Sequence, residues 1–180
     1  CLPVHNEAAT VGVLLWRLRT VLGDARRDYE VVVYDDGSTD GTAEVLAPYA
    51  RVLPLTLLGG PGAPRRGRSA ATEALVRHVV AHSRYPRRDA CVLLQGDFTD
   101  RAEDLPALLT AFDAGADVVV GRRPPDEAQP PAERRLRRMG PWVLRPLVRA
   151  EGVDDLLGAA RLFRVAVLRD VARARGAAPV

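Results

Sequence analysis

The sequence predicts an α/β fold, with a mostly parallel central sheet covered by helices on both faces. Three observations lead there. Short β-branched apolar runs read as strands buried on both sides. Stretches with helical spacing of apolar residues separate those runs. Acidic, glycine and hydroxyl residues gather where the runs end, and the carboxyl ends of parallel strands are where such sheets place their sites. A chain of 180 residues that is 47% apolar suits one domain with a sizeable core.

The elements follow in order. Residues 1–4 read as the end of a strand, and 8–22 as a helix with Val11, Leu14, Leu15, Leu18 and Leu22 on one face. Residues 30–34 form a second strand, after which Thr39 or Asp40 caps a helix reaching Leu46. A third strand is expected at 51–57, a Gly/Pro/Arg loop at 59–67 and a helix at 69–81. A fourth strand at 90–94, a helix at 102–112 and a fifth strand at 117–120 complete the alternation. Residues 122–133 are rich in proline and charge and read as a loop. Residues 134–149 are arginine-dense with interleaved apolar residues, helical in pattern but interrupted by Pro141 and Pro146. A last strand at 159–163 and a last helix at 165–174 close the chain. The whole reads as a single domain over 1–180, trimmed at its termini, with a ligand-binding half at 1–123 and a second segment at 124–180.

Composition removes several function classes. All 26 basic residues are arginine, so no mechanism that requires a lysine is open. That excludes a phosphoryl-accepting receiver domain, which otherwise shares the paired acids at a strand end. Cys1 and Cys91 have no metal-ligand spacing, and Cys91 sits in an apolar run as a small core residue. His78 and His82 are four residues apart, but no HExxH motif surrounds them. No stretch approaches the roughly 18 apolar residues of a membrane span. The net charge of +3 and the arginine clusters match no nucleic-acid-binding motif, so nucleic acid is not an expected partner.

The strand ends carry the chemistry. Pro3, His5, Asn6 and Glu7 follow the first strand. Asp35, Asp36, Gly37, Ser38, Thr39 and Asp40 follow the second, within VVVYDDGSTDGT (31–42). Gln95, Gly96, Asp97, Phe98, Thr99 and Asp100 follow the fourth, and Gly121, Arg122 and Arg123 the fifth. Carboxylates crowded on one rim repel unless a cation lies between them, and a hard divalent ion is the natural occupant. Carboxylates also accept hydrogen bonds from ribose or base. A turn and helix cap with no ligand would use the same residue types, so DDGSTDGT alone leaves both open.

PVHNE (3–7), VVVYDDGSTDGT (31–42), GDFTD (96–100) and VVVGRR (118–123) resemble, in order and spacing, the family 2 glycosyltransferases of GT-A, Rossmann-like fold. GVDDLLGAARLFRVAVL (152–168) resembles the later segment of the dolichol-phosphate mannose synthase and polyprenyl-phosphate glycosyltransferase branch. The resemblance implies an inverting transferase using a nucleoside-diphosphate sugar and a divalent cation, Mg²⁺ or Mn²⁺. It implies donor contacts from Pro3, His5, Glu7, Asp35, Asp36, Gly37, Ser38, Arg68, Gln95, Gly96 and Asp97. Asp97 and Thr99 would ligate the metal. Asp97, Arg123 and Asp155 would be catalytic, and Arg123, Arg134, Arg161 and Arg164 would meet the acceptor.

The chain departs from the pattern at Gln95, where the DxD-like motif commonly begins with Asp; a neutral amide is the weaker ligand, and Asp100 could compensate. A lipid-phosphate acceptor is already anionic and needs only positioning, whereas a saccharide hydroxyl needs a base, for which Asp154 or Asp155 is available. The tail's resemblance favours a polyprenyl phosphate at the inner, cytoplasmic face of the cell membrane, with 134–149 as a candidate surface-seeking segment. Two alternatives stay open: a saccharide acceptor, and a non-catalytic protein of the same fold that binds nucleotide or lipid head group.

Overall fold

The computed structural model describes residues 1–25, 27–97, 100–121 and 160–174. Their strands are β1 (Leu2–Val4), β2 (Val31–Asp35), β3 (Leu55–Gly59), β4 (Ala90–Leu93), β5 (Val118–Val120) and β6 (Arg161–Arg164). The helices are α1 (Val11–Asp24), α2 (Thr42–Tyr49), α3 (Arg68–His82), α4 (Leu105–Asp113) and α5 (Val165–Ala174), with a 3-10 turn at Ala102–Asp104 before α4. β2 pairs in parallel with β1 and β3. β6 lies between β4 and β5, antiparallel to both. The Cys1 nitrogen donates to Val92 O (2.8 Å) and Leu94 N–H donates to Cys1 O (3.1 Å), the bonding pattern of a parallel pair. Those two bonds join the strands into one sheet in the order β3-β2-β1-β4-β6-β5.

Strand alternation sorts the side chains to the two faces. Val31 and Val33 join a core with Leu14, Leu15 and Leu18 of α1, Leu46 of α2, and Leu108 and Phe112 of α4. Val32 is buried outside that cluster, on the face where α3 packs against β1, β2 and α5. Leu75 of α3 and Cys91 are buried too, which fits the core role expected for Cys91. Burial also pushes the Cys91 thiol pKa up, and its sulfur lies 3.7 Å from that of Cys1.

Two sequence expectations shift. The third strand begins at Leu55, because the chain at 50–53 is still closing α2: Val52 and Leu53 N–H both bond to Tyr49 O. Leu53 is buried there as part of the helix end, and Pro54 then forces the chain to extend. The sheet also holds an antiparallel member, β6, which an apolar run alone does not reveal. The last helix falls on the expected residues.

Leu14 is fully buried and Trp16, on the same helix, is 59% exposed. Leu14→Ala is expected to lower unfolding free energy by about 2–5 kcal/mol and Trp16→Ala by less than about 1 kcal/mol. Urea unfolding of the two variants checks this; equal losses would contradict the packing.

Candidate functional site

The loops after β1 and β2 are tied to each other by side chains reaching backbone. Asn6 has φ +58°, a left-handed conformation that asparagine tolerates, and it turns the chain after His5. Asn6 N–H donates to Ser38 Oγ (3.0 Å), and Asn6 Oδ1 accepts from Thr39 N–H (2.8 Å). Glu7 N–H donates to Thr42 Oγ1 (2.9 Å), and Ala8 N–H to Asp40 Oδ2 (3.0 Å). Thr42 in turn donates to Asp40 Oδ1 (2.5 Å). His5 Nδ1 lies 2.9 Å from Asp36 O; a carbonyl only accepts, so the ring donates from Nδ1.

DDGSTDGT therefore divides its labour. Ser38, Thr39 and Asp40 bind the neighbouring turn, and Asp40 also holds Thr42; α2 is capped by Gly41 in a left-handed conformation with no side-chain cap bond, not by Thr39 or Asp40 as expected. Ser38, expected to meet the donor, is buried, and its Oγ accepts from Asn6 N–H. Asp35 is also buried: Oδ1 accepts from Ser38 N–H (2.9 Å), while Oδ2 has no hydrogen-bond partner among the described residues.

Asp36 faces the Gly-rich loop. Its Oδ1 accepts from Arg66 N–H (2.7 Å) and its Oδ2 from Gly67 N–H (2.8 Å). The same loop presses on Gly37, whose φ is +70° and where an added Cβ would stand 2.3 Å from Ala63 O. Only glycine fits that close approach. The loop then delivers Arg68 as the first residue of α3, and Arg68 Nη1 donates to Gln95 Oε1 (2.5 Å).

At the end of β4, Gln95 N–H donates to Asp100 Oδ2 (2.9 Å). Asp100 is buried, and this bond ties it to the turn after β4. Gly96 packs against β1: a Cβ there would come 2.9 Å from Val4 Cγ1 and 3.5 Å from Glu7 Cγ. Glu7 accepts from its own helix start, Thr10 Oγ1 to Oε2, at 2.5 Å. Pro3 lies in β1 opposite Tyr34 of β2. Asp97 is exposed at this rim.

Arg161 and Arg164 part company. In register, Arg161 lies beside Leu93 and Val120, at the rim end of β6, while Arg164 lies beside Ala90 at the other end. Three residues of strand separate them by about 10 Å. Arg164 is locked there: its guanidinium donates to Asp117 Oδ1 (2.6 Å) and Arg87 O (2.6 Å) and stacks 4.3 Å over Phe112. The expectation that Arg164 meets an acceptor is corrected by this placement. Thr99, Arg123, Arg134 and Asp155 lie outside the described residues. Gly121 N–H donates to Ala160 O (2.8 Å), so the residues that bracket 122–159 meet at the same rim as Arg161.

An exposed carboxylate is a chemically suitable ligand for a divalent cation, and Asp97 offers one at this rim. Among the described residues no group of three His, Cys, Asp or Glu side chains is arranged around an ion. Gln95 Oε1 is bonded to Arg68 and Asp100 Oδ2 to the Gln95 N–H, so a cation here would take its other ligands from a bound phosphate and water, the common habit of Mg²⁺. A cavity of about 660 Å³ lies elsewhere, at the amino ends of the strands, lined by Leu22, Tyr29, Val32, His78 and Tyr85.

Sequence reasoning missed Asn6, Thr42 and Asp40 as the ties between two loops, although their turn-forming chemistry was visible. It also missed that backbone amides of 66 and 67 are the partners of Asp36; no side-chain pattern signals that.

Residues 1–172 match the sequence profile of glycosyl transferase family 2, and the chain belongs to that family. It is 31% identical over 118 residues to an undecaprenyl-phosphate 4-deoxy-4-formamido-L-arabinose transferase of Aeromonas hydrophila, covering 66% of this chain and 34% of that one. The Pseudomonas fluorescens protein of the same name is 30% identical over 118 residues, covering 66% and 33%. The chain thus spans about a third of the length of these relatives. Among solved structures it resembles a Mycobacterium tuberculosis glucosyl-3-phosphoglycerate synthase in complex with Mn²⁺, UDP and glucosyl-3-phosphoglycerate: TM-score 0.64, 20% identity, 92% of this chain and 56% of that one. It also resembles the mannosyl-3-phosphoglycerate synthase of Rubrobacter xylanophilus, with TM-score 0.65, 20% identity, 99% of this chain and 62% of that one. These likenesses bear out the GT-A fold expected from the sequence.

Two outcomes follow from the loop geometry. Gly37→Ala is expected to loosen the 60–67 loop, seen as faster amide exchange at Arg66 and Gly67 than in the parent. Asp40 has its carboxyl pKa lowered, first by the Thr42 hydroxyl and then by backbone N–H groups. Its stabilisation is therefore complete above the ordinary carboxylate range and is lost as pH falls through the lowered folded value. Asp40→Asn should be less stable than the parent at neutral pH, with the gap closing as pH falls through the lowered carboxyl value. A pH-independent gap would contradict the assignment.

Proposed function

We propose that this chain is the donor-binding and catalytic part of an inverting glycosyltransferase that moves a sugar from a nucleoside-diphosphate sugar to a polyprenyl phosphate. The observation that carries this is the convergence of three strand ends, with Asp36, Arg68, Gln95 and exposed Asp97, on one rim of a family 2 fold. Asp36 and His5 frame the nucleoside end. Arg68 offers guanidinium donors to the diphosphate. Asp97 would hold the divalent cation, Mn²⁺ or Mg²⁺, which when bound supplies charge neutralisation for the diphosphate leaving group. The acceptor would approach from the side where Gly121, Ala160 and Arg161 meet, with Arg123, Arg134 and Asp155 as its further contacts.

A phosphate acceptor supports itself chemically: it is anionic at neutral pH, so positioning suffices and no general base is needed. The names of the curated relatives point the same way. Among the described residues no helix is long and apolar enough to cross a membrane. We place the reaction at the cytoplasmic face of the cell membrane, where the chain would meet its lipid. A non-catalytic nucleotide-binding role is favoured by one feature, the neutral Gln95 where an acidic metal ligand is common.

Calorimetric titration with UDP, GDP and dTDP, each in Mn²⁺ and in EDTA, tests the reading. One nucleotide should bind, more tightly in Mn²⁺, and Asp97→Asn should remove the metal-dependent gain while leaving the fold intact. Failure of all three to bind a folded sample in Mn²⁺ would sink it. Binding without sugar transfer to undecaprenyl phosphate or to a saccharide, from any sugar of the bound nucleotide, would instead favour the non-catalytic role.

A further inference from the structure

The contact between Arg68 and Gln95 is held from both sides. Gln95 N–H is fixed on the buried Asp100, and Gly96 is wedged against Val4. The Arg68 backbone follows Arg66 and Gly67, whose amides sit on the buried Asp36 carboxylate. Between these anchors Arg68 Nη1 meets Gln95 Oε1 at 2.5 Å. Among the described residues this is the hydrogen bond the Arg68 guanidinium makes, and none of their ion pairs includes it.

The chemistry of residue 95 then matters. An amide oxygen orients a guanidinium but carries no charge, whereas a carboxylate at the same place would form an ion pair and cancel it. With glutamine there, Arg68 is aimed and still fully cationic, and most of its five N–H donors remain for an anion. The rim keeps a fixed positive charge that does not depend on a metal.

We propose that Gln95 is a neutral positioning residue that aims Arg68 at the donor's diphosphate without neutralising it, so that part of the diphosphate affinity persists without divalent metal. This rests on the nucleotide-sugar reading above and adds to it a role for Gln95 and a division of charge between Arg68 and the ion.

The test uses the whole chain and its Gln95→Glu and Arg68→Lys variants, with folding checked by thermal melting. UDP, GDP and dTDP and their monophosphates are titrated in EDTA and in Mn²⁺ over a range of salt. In EDTA, Gln95→Glu should weaken the preferred diphosphate by about tenfold or more, the effect of losing one charge-assisted contact, and its monophosphate by less than about threefold. The salt dependence of diphosphate binding should flatten in Gln95→Glu and persist in Arg68→Lys, which keeps the charge. In Mn²⁺ the Gln95→Glu loss should shrink, because the added carboxylate can face the ion.

Three results would overturn the proposal and leave the donor-site reading standing. They are diphosphate affinity in EDTA unchanged by Gln95→Glu, equal loss for mono- and diphosphate, or wild-type binding that vanishes in EDTA and returns in Mn²⁺. Absence of all binding even in Mn²⁺ would overturn both.

Discussion

The site depends on one buried carboxylate finding its donors in backbone. Asp36 is nearly sealed from water, and an ionised carboxylate so placed must be hydrogen-bonded or it would be strongly destabilising. It takes Arg66 N–H and Gly67 N–H, one on each oxygen. Hydrogen bonds to a charged acceptor contribute about 1.5–3 kcal/mol each, enough to hold a loop that is otherwise mostly exposed glycine, proline and arginine. Because that loop runs directly into α3, fixing it fixes the first helical side chain, Arg68. The position of a cation on the rim is thus set by an acid on a different strand.

The neighbouring loops follow the same logic at lower cost. Short polar side chains, Asn6, Ser38, Thr39, Asp40 and Thr42, satisfy the amides that the β1 and β2 turns leave open. The result is a rim that is largely pre-formed. His5, Asp36, Arg68 and Gln95 are presented by loops whose amides are already hydrogen-bonded, which suits a site where positioning of a charged ligand does most of the chemical work.

Much of this was legible in the sequence. β-branched runs and helical spacing located the elements, because burial on both faces of a parallel sheet leaves little choice of residue. The polar strand ends located the rim. What stayed hidden has physical reasons. Leu53 looked like strand because an apolar residue closing a helix and one in a sheet are equally buried. Arg164 looked like its neighbour Arg161, yet a four-residue antiparallel strand puts them at opposite ends of the sheet. Asp100 looked like a spare ligand; its orientation follows from the Gln95 amide, and backbone donors leave no trace in residue identity. Ser38 and Asp40 were ambiguous for the same reason.

The central claim is that a nucleoside diphosphate lies across the ends of β1, β2 and β4, and a crystal structure of the chain soaked with UDP or GDP and Mn²⁺ tests it most directly. Density is expected for the nucleoside beside Asp36 and His5 and for the diphosphate between Arg68 and Asp97. Nucleotide bound instead in the cavity at the amino ends of the strands, beside Tyr29 and His78, would contradict it.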